Sequence, residues 1–341
     1  MPGATAPVRA AAPAVTAVPN AAASVLQAVV IGGTYILTSS ALTCFNKYLM
    51  QGRFCHVVHL TAIHTAVTFI LSLCFYMVAP QFYPSMAGAK EQFRLTLRWI
   101  APLGLLFAVS FFSLNQAYQH SSVAFLQFCK QGNVALLFFM SCACGRQVFS
   151  WSKVSVLSII LSGCSACVSG EIHFALVGVV LQVTAQLAEC SKNLLAEIVL
   201  SGAGLKMDAL SFVLFQAPFC LLFLLLGAWH SWTPAVLEDF KAQWHLLLAN
   251  ASLAFVLNVL IAVALKRLSA LSFVMMGVLK DAAAVSLAWA AFGDPVSLSQ
   301  QTGFLVTVVG IGMWGRLKMQ EAQEPEKLPL ARGKVRGVRW P

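Results

Sequence analysis

The sequence predicts an all-α integral membrane protein with ten transmembrane helices, arranged as two inverted five-helix repeats. Of the 341 residues, 59% are hydrophobic and only 10% are charged, whereas about 25% of the residues in a soluble protein are charged. Apolar stretches of the roughly 20 residues that a spanning helix needs follow one another along almost the whole chain. They are too long for the alternating strands of about 10 residues that build a membrane barrel. The composition therefore excludes a soluble enzyme.

Ten stretches are predicted to span the membrane, and the sixth is the least hydrophobic because it contains Glu189, Lys192 and Glu197. The predicted spans are 24–46, 56–79, 99–118, 121–142, 153–170, 173–200, 208–230, 243–265, 270–292 and 298–317. Because their number is even, both termini lie on one side of the bilayer. Residues 1–23, rich in Ala and Pro, are predicted to be a disordered tail, and residues 319–341 a basic tail. An organellar targeting segment is the alternative for the first tail.

Loop charges orient the chain with both termini in the cytoplasm, because cytoplasmic loops carry an excess of Lys and Arg. The loops on the side of the termini contain Lys90, Arg94, Arg98, Arg146, Lys153, Lys206, Lys266 and Arg267, and the opposite loops contain Lys47, Arg53 and Lys241. The net charge of +10 resides in these loops and in the last tail. It therefore reflects topology and not nucleic-acid binding.

Five spans fall in residues 24–170 and five in residues 171–318. An odd number of spans per repeat forces the second repeat to enter the membrane inverted. The fourth spans of the repeats carry Lys130 and Lys280, which then become equivalent across a pseudo-two-fold axis at mid-membrane. A binding site at the interface of inverted repeats is typical of secondary transporters.

Lys130 and Lys280 are the strongest candidates for a binding site, because an ammonium inside the bilayer costs about 3 kcal/mol or more. One positive charge in each half indicates a central cavity for an anion. The alternative is that each lysine pairs with a carboxylate and only fixes helix packing. Asp281 follows Lys280, but neighbouring helix positions point about 100° apart, so we do not expect these two residues to pair.

Glu189 and Lys192 lie three residues apart on one face of the sixth span. Two interpretations stay open: an internal ion pair that braces the bundle, or a Lys192 that exchanges Glu189 for substrate. Glu197, near the cytoplasmic end of the span, is expected to be solvated.

Polar residues beside the lysine-bearing spans could hydrogen-bond a sugar or a base. They are Asn115, Tyr118, Gln127 and Asn258. The alternative for each is an interhelical hydrogen bond worth roughly 1 kcal/mol.

No metal, cofactor or catalytic residue is predicted. His56, His59 and His64 are spaced i, i+3 and i+8 without a second histidine cluster, and metal sites need several converging ligands. Most of the ten cysteines lie in apolar spans, where they serve packing. The last span contains Gly303, Gly310, Gly312 and Gly315, which would permit close helix packing or a homodimer.

In its motifs the chain resembles the nucleotide-sugar and triose-phosphate translocator family of the drug/metabolite transporter superfamily. The motifs are Asn46-Lys47-Tyr48, Leu60-Thr-x-x-His64, Asn115-x-x-Tyr118, Val123-Ala-Phe-Leu-Gln127-x-x-Lys130, Gly170-Glu171-Ile-x-Phe174, Glu189-x-x-Lys192, Asn258 and Gly277-Val-Leu-Lys280-Asp281. The ninth span is most similar to that of plant-type Golgi nucleotide-sugar transporters. Plastid sugar-phosphate translocators instead resemble one another in a Lys-Arg pair, and this chain has Asp281 at the position of that arginine.

The resemblance implies a transporter and not an enzyme, with Lys130 and Lys280 contacting phosphate groups. The expected function is antiport of a cytosolic UDP- or GDP-sugar against luminal nucleoside monophosphate, by alternating access, across the lipid bilayer of the Golgi or endoplasmic reticulum. The alternative is a plastid-type translocator that exchanges a sugar phosphate or phosphoenolpyruvate for phosphate. Two departures from the family are Gln131-Gly132-Asn133-Val134, where a proline is usual, and Lys192, where an arginine is frequent.

Overall fold

The computed structural model describes residues 21–50, 52–117, 120, 129–130, 132–167, 176–201, 207–292 and 298–323. This part of the chain is helical, with eleven α-helices, one 3₁₀ helix and no strand. The α-helices are α1 (Ala21–Met50), α2 (Val57–Val78), α3 (Met86–Glu91), α4 (Phe93–Ala117), α5 (Asn133–Ala143), α6 (Trp151–Cys167), α7 (Leu176–Ser201), α8 (Ala209–His230), α9 (Pro234–Arg267), α10 (Ala270–Phe292) and α11 (Leu298–Gln323).

The helix bounds follow the predicted spans closely except where a helix continues beyond its apolar stretch. Helix α9 has 34 residues and begins at Pro234, well before the predicted span 243–265. Proline is favourable at the first position of a helix, and the polar residues that follow it do not break the helix. Helix α11 likewise continues to Gln323, so the predicted basic tail begins as helix. Apolarity locates the part of a helix inside the bilayer and not its ends.

The loop between α2 and α4 contains two short helices that the sequence analysis did not predict, a 3₁₀ helix at Pro80–Phe82 and α3. This loop is fixed to the start of α8 by two reciprocal hydrogen bonds. The Ser85 N–H donates to Asp208 Oδ1 at 3.0 Å, and the Asp208 N–H donates to Ser85 Oγ at 2.8 Å. Asp208 also caps α8, since its carboxylate accepts from the Ser211 N–H at 2.8 Å.

The predicted fourth span, 121–142, is described only in part. Its first eight residues lie outside the described residues, 129–130 are helical, and α5 begins at Asn133. Gly132 stands at the junction, where an added Cβ would lie 2.9 Å from the Cys129 carbonyl oxygen. This close approach favours a glycine at position 132.

Each long helix packs against partners from the other half of the sequence. Helix α1 contacts α9 and α10, α2 contacts α8 and α9, α4 contacts α7 and α8, α5 contacts α7 and α10, and α6 contacts α11. The α6–α11 contact depends on glycine: an added Cβ on Gly163 would lie 2.5 Å from Thr307 Oγ1, and one on Gly310 would lie 2.7 Å from an Ile160 side-chain atom. Gly312 and Gly315 have open space around them. Part of the glycine series therefore serves packing within the chain.

Five helices of the described chain are long and apolar enough to cross a membrane, judged by length and composition. They are Leu26–Met50, Val57–Val78, Phe93–Leu114, Ala209–His230 and Pro234–Arg267. Large apolar side chains such as Leu37, Met77 and Leu226 are exposed on the outer surface. Exposed apolar surface of this extent fits contact with lipid and not with water.

One end of the bundle, at which α7 ends and α10 begins, is joined by polar contacts, and we call it the ionic end. Buried Glu197 accepts from Arg146 Nη2 at 2.8 Å and, through its other oxygen, from the Ala270 N–H at 2.7 Å. Lys153 Nζ lies 2.5 Å from Glu321 Oε1, and Lys318 Nζ lies 2.8 Å from Gln147 Oε1. The expectation that Glu197 is solvated was wrong, because its carboxylate holds the loop after α5 against the first residue of α10.

The opposite end, at which α1 ends and α2 and α9 begin, is closed by a hydrophobic cluster, and we call it the apolar end. Its buried members are Leu49, Phe54, Leu60, Val236 and Leu247. At its surface His56 Nε2 lies 3.1 Å from Asp239 Oδ2. Both ends draw residues from both halves of the sequence.

Candidate substrate-binding site

A polar cavity of about 340 Å³ lies between seven helices, α1, α2, α4, α7, α8, α9 and α10. The described residues that line it are Tyr35, Ser39, Thr65, Thr68, Phe107, Glu189, Lys192, Asn193, Ala196, Phe212, Val213, Gln216, Ala217, Cys220, Asn258, Ile261, Ala262, Leu265, Phe273 and Lys280. Predicted site residues from three separate helices thus converge on one cavity.

Helix α7 contributes the most polar face of the cavity. Glu189, Lys192, Asn193 and Ala196 follow one another at i, i+3, i+4 and i+7, so they share one side of the helix. Glu189 Oε2 accepts a hydrogen bond from Asn133 Nδ2 on α5 at 3.0 Å. A carboxylate held in this way by a buried amide has a fixed position at the cavity wall.

Lys192 has a different neighbour from the one predicted. Its Nζ lies 5.4 Å from the centre of the Phe107 ring on α4, within the range of a cation–π interaction. In the part of the chain that the structure describes, no ion pair joins Lys192 to Glu189. Of the two interpretations left open, the bracing pair is therefore absent, and Lys192 lines the cavity beside Phe107.

Lys280 lines the cavity from α10, and its Nζ lies 2.6 Å from Asp281 Oδ1. The expectation that these neighbours do not pair was wrong. The angle of about 100° separates their Cβ directions, but a lysine side chain is long and flexible enough to curl back to a carboxylate on the next residue. The Lys280 backbone carbonyl accepts from Ser40 Oγ at 3.3 Å, which ties α10 to α1 at this level.

Asn258 lines the cavity from α9 and also bonds across it. Its Nδ2 donates to Thr68 Oγ1 on α2 at 3.2 Å. The two interpretations of this residue are thus compatible, since a side chain that joins two helices can also offer its carbonyl oxygen to a ligand.

The other predicted site residues are not brought into the described cavity. Lys130 lies in the short helical segment 129–130, is half-buried, and is absent from the described lining. Tyr118, Gln127 and the side chain of Asn115 lie outside what the structure describes. For all four residues a role in binding stays a prediction.

Several cavity residues were missed by the sequence analysis because each alone is unremarkable in a membrane helix. Tyr35 and Ser39 are four residues apart on α1, as are Phe212 and Gln216 on α8. The Tyr35 and Phe273 rings pack with their centroids 5.3 Å apart. Polar residues at helical spacing on a span without a charge are the signal that could have identified this face.

A second cavity of about 930 Å³ lies between α2, α8 and α9 near the apolar end. Its walls are almost wholly apolar, with Phe54, Trp229, Trp232 and Phe240 among them. None of the described residues in its wall was predicted to bind substrate. A charged substrate needs converging polar groups, so the smaller cavity is the candidate site.

The predicted histidine series is engaged in other contacts. His56 pairs with Asp239, and His64 hydrogen-bonds Asn250, which in turn donates to Asn46 Oδ1 at 2.9 Å. Among the described residues no group of three or more His, Cys, Asp or Glu side chains could hold a metal ion.

Comparisons with known proteins identify the family to which the chain belongs. Residues 26–315 match the model of the Triose-phosphate Transporter family. One probable sugar phosphate/phosphate translocator of Arabidopsis thaliana is 28% identical over 85% of this chain and 77% of its own length. Another translocator of the same description and organism is 27% identical over 89% of both chains. A crystal structure of another protein superimposes with a TM-score of 0.62 at 16% identity, covering 86% of this chain and 98% of that chain, and shows a shared fold.

An all-helical bundle with a lipid-facing apolar surface and a polar internal cavity defines a multi-pass membrane transporter. The family match covers most of the chain, so the protein belongs to the Triose-phosphate Transporter family.

Proposed function

We propose that this protein is an antiporter that exchanges a small phosphorylated organic anion of the sugar-phosphate class for inorganic phosphate. The observation that carries the proposal is the cavity of about 340 Å³ with both Lys192 and Lys280 in its wall. Two ammonium groups inside a low-dielectric cavity attract phosphate strongly. The surrounding Asn, Gln, Thr and Ser side chains can hydrogen-bond sugar hydroxyls.

The size of the cavity favours a small substrate. Ligand cavities range from roughly 300 to 1,000 Å³, and this one is near the lower limit. A sugar phosphate needs much less space than a nucleotide sugar, which adds a base, a ribose and a second phosphate. The relatives described as sugar phosphate/phosphate translocators support the same substrate class.

Antiport of a UDP- or GDP-sugar against nucleoside monophosphate, in the Golgi or endoplasmic reticulum, is the second candidate function. Two observations favour it. Asp281 neutralises part of the positive charge at Lys280, which weakens the case for a small, doubly charged substrate. The packed rings of Tyr35 and Phe273 offer aromatic surface on which a base could stack.

Two inverted five-helix repeats and alternating access form part of the proposal, with both termini in the cytoplasm. The contacts between the two halves support the repeats, because they come in pairs when the halves are exchanged. With α3 set aside, α1–α10 corresponds to α7–α5, α4–α7 to α9–α1, and α4–α8 to α9–α2. A cavity between such repeats can open to either side when one rocks against the other.

The test is an exchange assay with purified protein in liposomes preloaded with inorganic phosphate, a sugar phosphate, UMP, GMP, CMP or AMP. Uptake of labelled phosphate and of the matching labelled nucleoside monophosphate is measured. We expect internal phosphate, or an internal sugar phosphate, to stimulate uptake of labelled phosphate. Stimulation by one nucleoside monophosphate alone would overturn this proposal and establish the second candidate.

Substitutions at the cavity lysines test whether transport uses this site. Lys280→Ala and Lys192→Ala should each lower exchange at least about tenfold, since each removes a half-buried cation from the cavity wall. Lys241→Ala is the matched control, because Lys241 is exposed near the start of α9. Parental exchange rates in both cavity variants would exclude the cavity as the substrate site.

A further inference from the structure

The pair formed by Lys280 and Asp281 bears on how tightly transport is coupled. Strict antiport requires that the carrier cannot return without substrate. The usual physical reason is that an empty carrier with uncompensated charge in its cavity reorients slowly, because the unpaired charge is costly in a low-dielectric environment. A carrier whose cavity charge is already compensated lacks this barrier.

Carboxylates lie beside the lysines of the cavity. Lys192, Lys280 and Glu189 line it, and Asp281, which is not among the described lining residues, contacts Lys280. Lys280 Nζ and Asp281 Oδ1 are in direct contact at 2.6 Å. At this distance the ammonium already donates a charge-assisted hydrogen bond to the carboxylate, so it binds a phosphate less strongly.

We propose that Asp281 is an internal counter-ion of Lys280 that replaces the substrate phosphate, so that the carrier also reorients without substrate and exchange is not obligatory. This inference depends on the proposed function of the same cavity. The inference applies to a carrier with Lys-Asp at this position. A carrier with two adjacent cations at this position would lack the internal counter-ion.

The pair also places Asp281 in competition with the substrate. A phosphate that reaches Lys280 must displace the carboxylate or share the ammonium with it. Removing the carboxylate should therefore strengthen substrate binding. It should also leave Lys280 without its partner in the substrate-free carrier, which makes the return step slower.

The experiment measures two rates in proteoliposomes loaded with labelled phosphate. Net efflux into substrate-free medium reports return of the carrier without substrate, and efflux into medium with excess phosphate reports exchange. For the parental protein we expect net efflux well above that of protein-free vesicles. In Asp281→Asn the ratio of net efflux to exchange should fall about tenfold or more, because Lys280 loses the carboxylate that contacts it. The apparent KM for external phosphate should fall as well.

Asp239→Asn is the matched control, because it makes the same chemical change at a residue that pairs with His56 outside the cavity. Asp281→Glu keeps the charge and should keep the parental ratio. A parental protein that shows exchange but no net efflux would overturn the inference, and this measurement needs no variant. An unchanged ratio in Asp281→Asn would overturn it too. If the parental protein exchanged none of the phosphorylated substrates tested, the proposed function itself would fail.

Discussion

The two ends of the helix bundle are closed by different chemistry. At the ionic end a buried carboxylate, Glu197, accepts hydrogen bonds from Arg146 and from the first N–H of α10. At the apolar end five buried side chains pack together, and Leu247 is wholly buried among them. One closure is made of a few directional contacts, and the other of many weak ones.

This difference indicates which end depends on single residues. Removing a hydrogen-bonded charged side chain destabilises the protein strongly, because its former partners are left unpaired. An apolar cluster loses only the contacts of the atoms removed. The ionic end also adjoins the cavity directly, since Ala196 lines it and Glu197 follows in sequence. Contacts at this end are therefore linked to the start of α10, the helix that carries Lys280.

The largest effect is expected from Glu197→Ala. Removing a buried carboxylate that holds Arg146 and the Ala270 N–H should destabilise the protein by about 3–5 kcal/mol. The change should appear as a lower Tm in detergent. Exposed Glu238 on α9 provides the control, since Glu238→Ala should stay within about 0.5 kcal/mol of the parent. Equal Tm values for the two variants would show that the ionic end does not depend on Glu197.

Leu247→Ala tests the apolar end and should cost about 2 kcal/mol. This loss of stability is near the lower limit of the range for a buried Leu→Ala change. Lipid is itself apolar, so the variant loses mainly packing contacts. Thermal unfolding of this variant beside Leu248→Ala, an exposed neighbour on the same helix, gives the comparison. A larger loss than in Glu197→Ala would reverse the ranking of the two ends.

Glu321→Ala removes the carboxylate next to Lys153, whose side chain is only 3% exposed. The expected loss is about 1.5 kcal/mol. It is smaller than for Glu197 because Lys153 Nζ also donates to the Val148 carbonyl at 3.0 Å and keeps that bond. The same unfolding assay measures it, with the adjacent exposed Gln320→Ala as reference. No loss would mean that the contact does not hold α11 to α6.

The smallest effect is expected at the surface of the apolar end. Asp239→Asn breaks the contact with His56, but the Asp239 side chain is 43% exposed, and water screens such pairs. The variant should lose no more than about 0.5 kcal/mol. A loss comparable with that of Leu247→Ala would show that polar contacts matter at both ends.

Much of the fold could be predicted from the sequence. The apolar stretches located the helices because hydrocarbon requires every backbone group to bond within its own helix. The helix ends were less predictable: α9 begins at Pro234 and α11 continues to Gln323, since nothing in those polar residues breaks a helix. The short helices between α2 and α4 were missed because they carry no membrane signal.

The candidate site was predicted in part. Lys280, Lys192, Glu189 and Asn258 were identified because charged and amide side chains are rare in membrane helices. Tyr35, Phe107 and Gln216 were not identified, because such residues are ordinary in a span until neighbouring helices enclose them. Lys130 was ranked with Lys280 because both place an ammonium inside a predicted span, and the described cavity contains Lys280 and Lys192.

The sequence by itself determined the membrane location, the number and order of apolar stretches, and the rarity of charge within them, because these follow from the solvent that each segment meets. Only the tertiary structure decided which charges meet. The Lys280–Asp281 contact depends on the reach of a flexible side chain, and the position of Lys192 over Phe107 depends on the packing of α7 against α4. Such distances depend on how the helices pack against one another, and they cannot be predicted from residue spacing along a single helix.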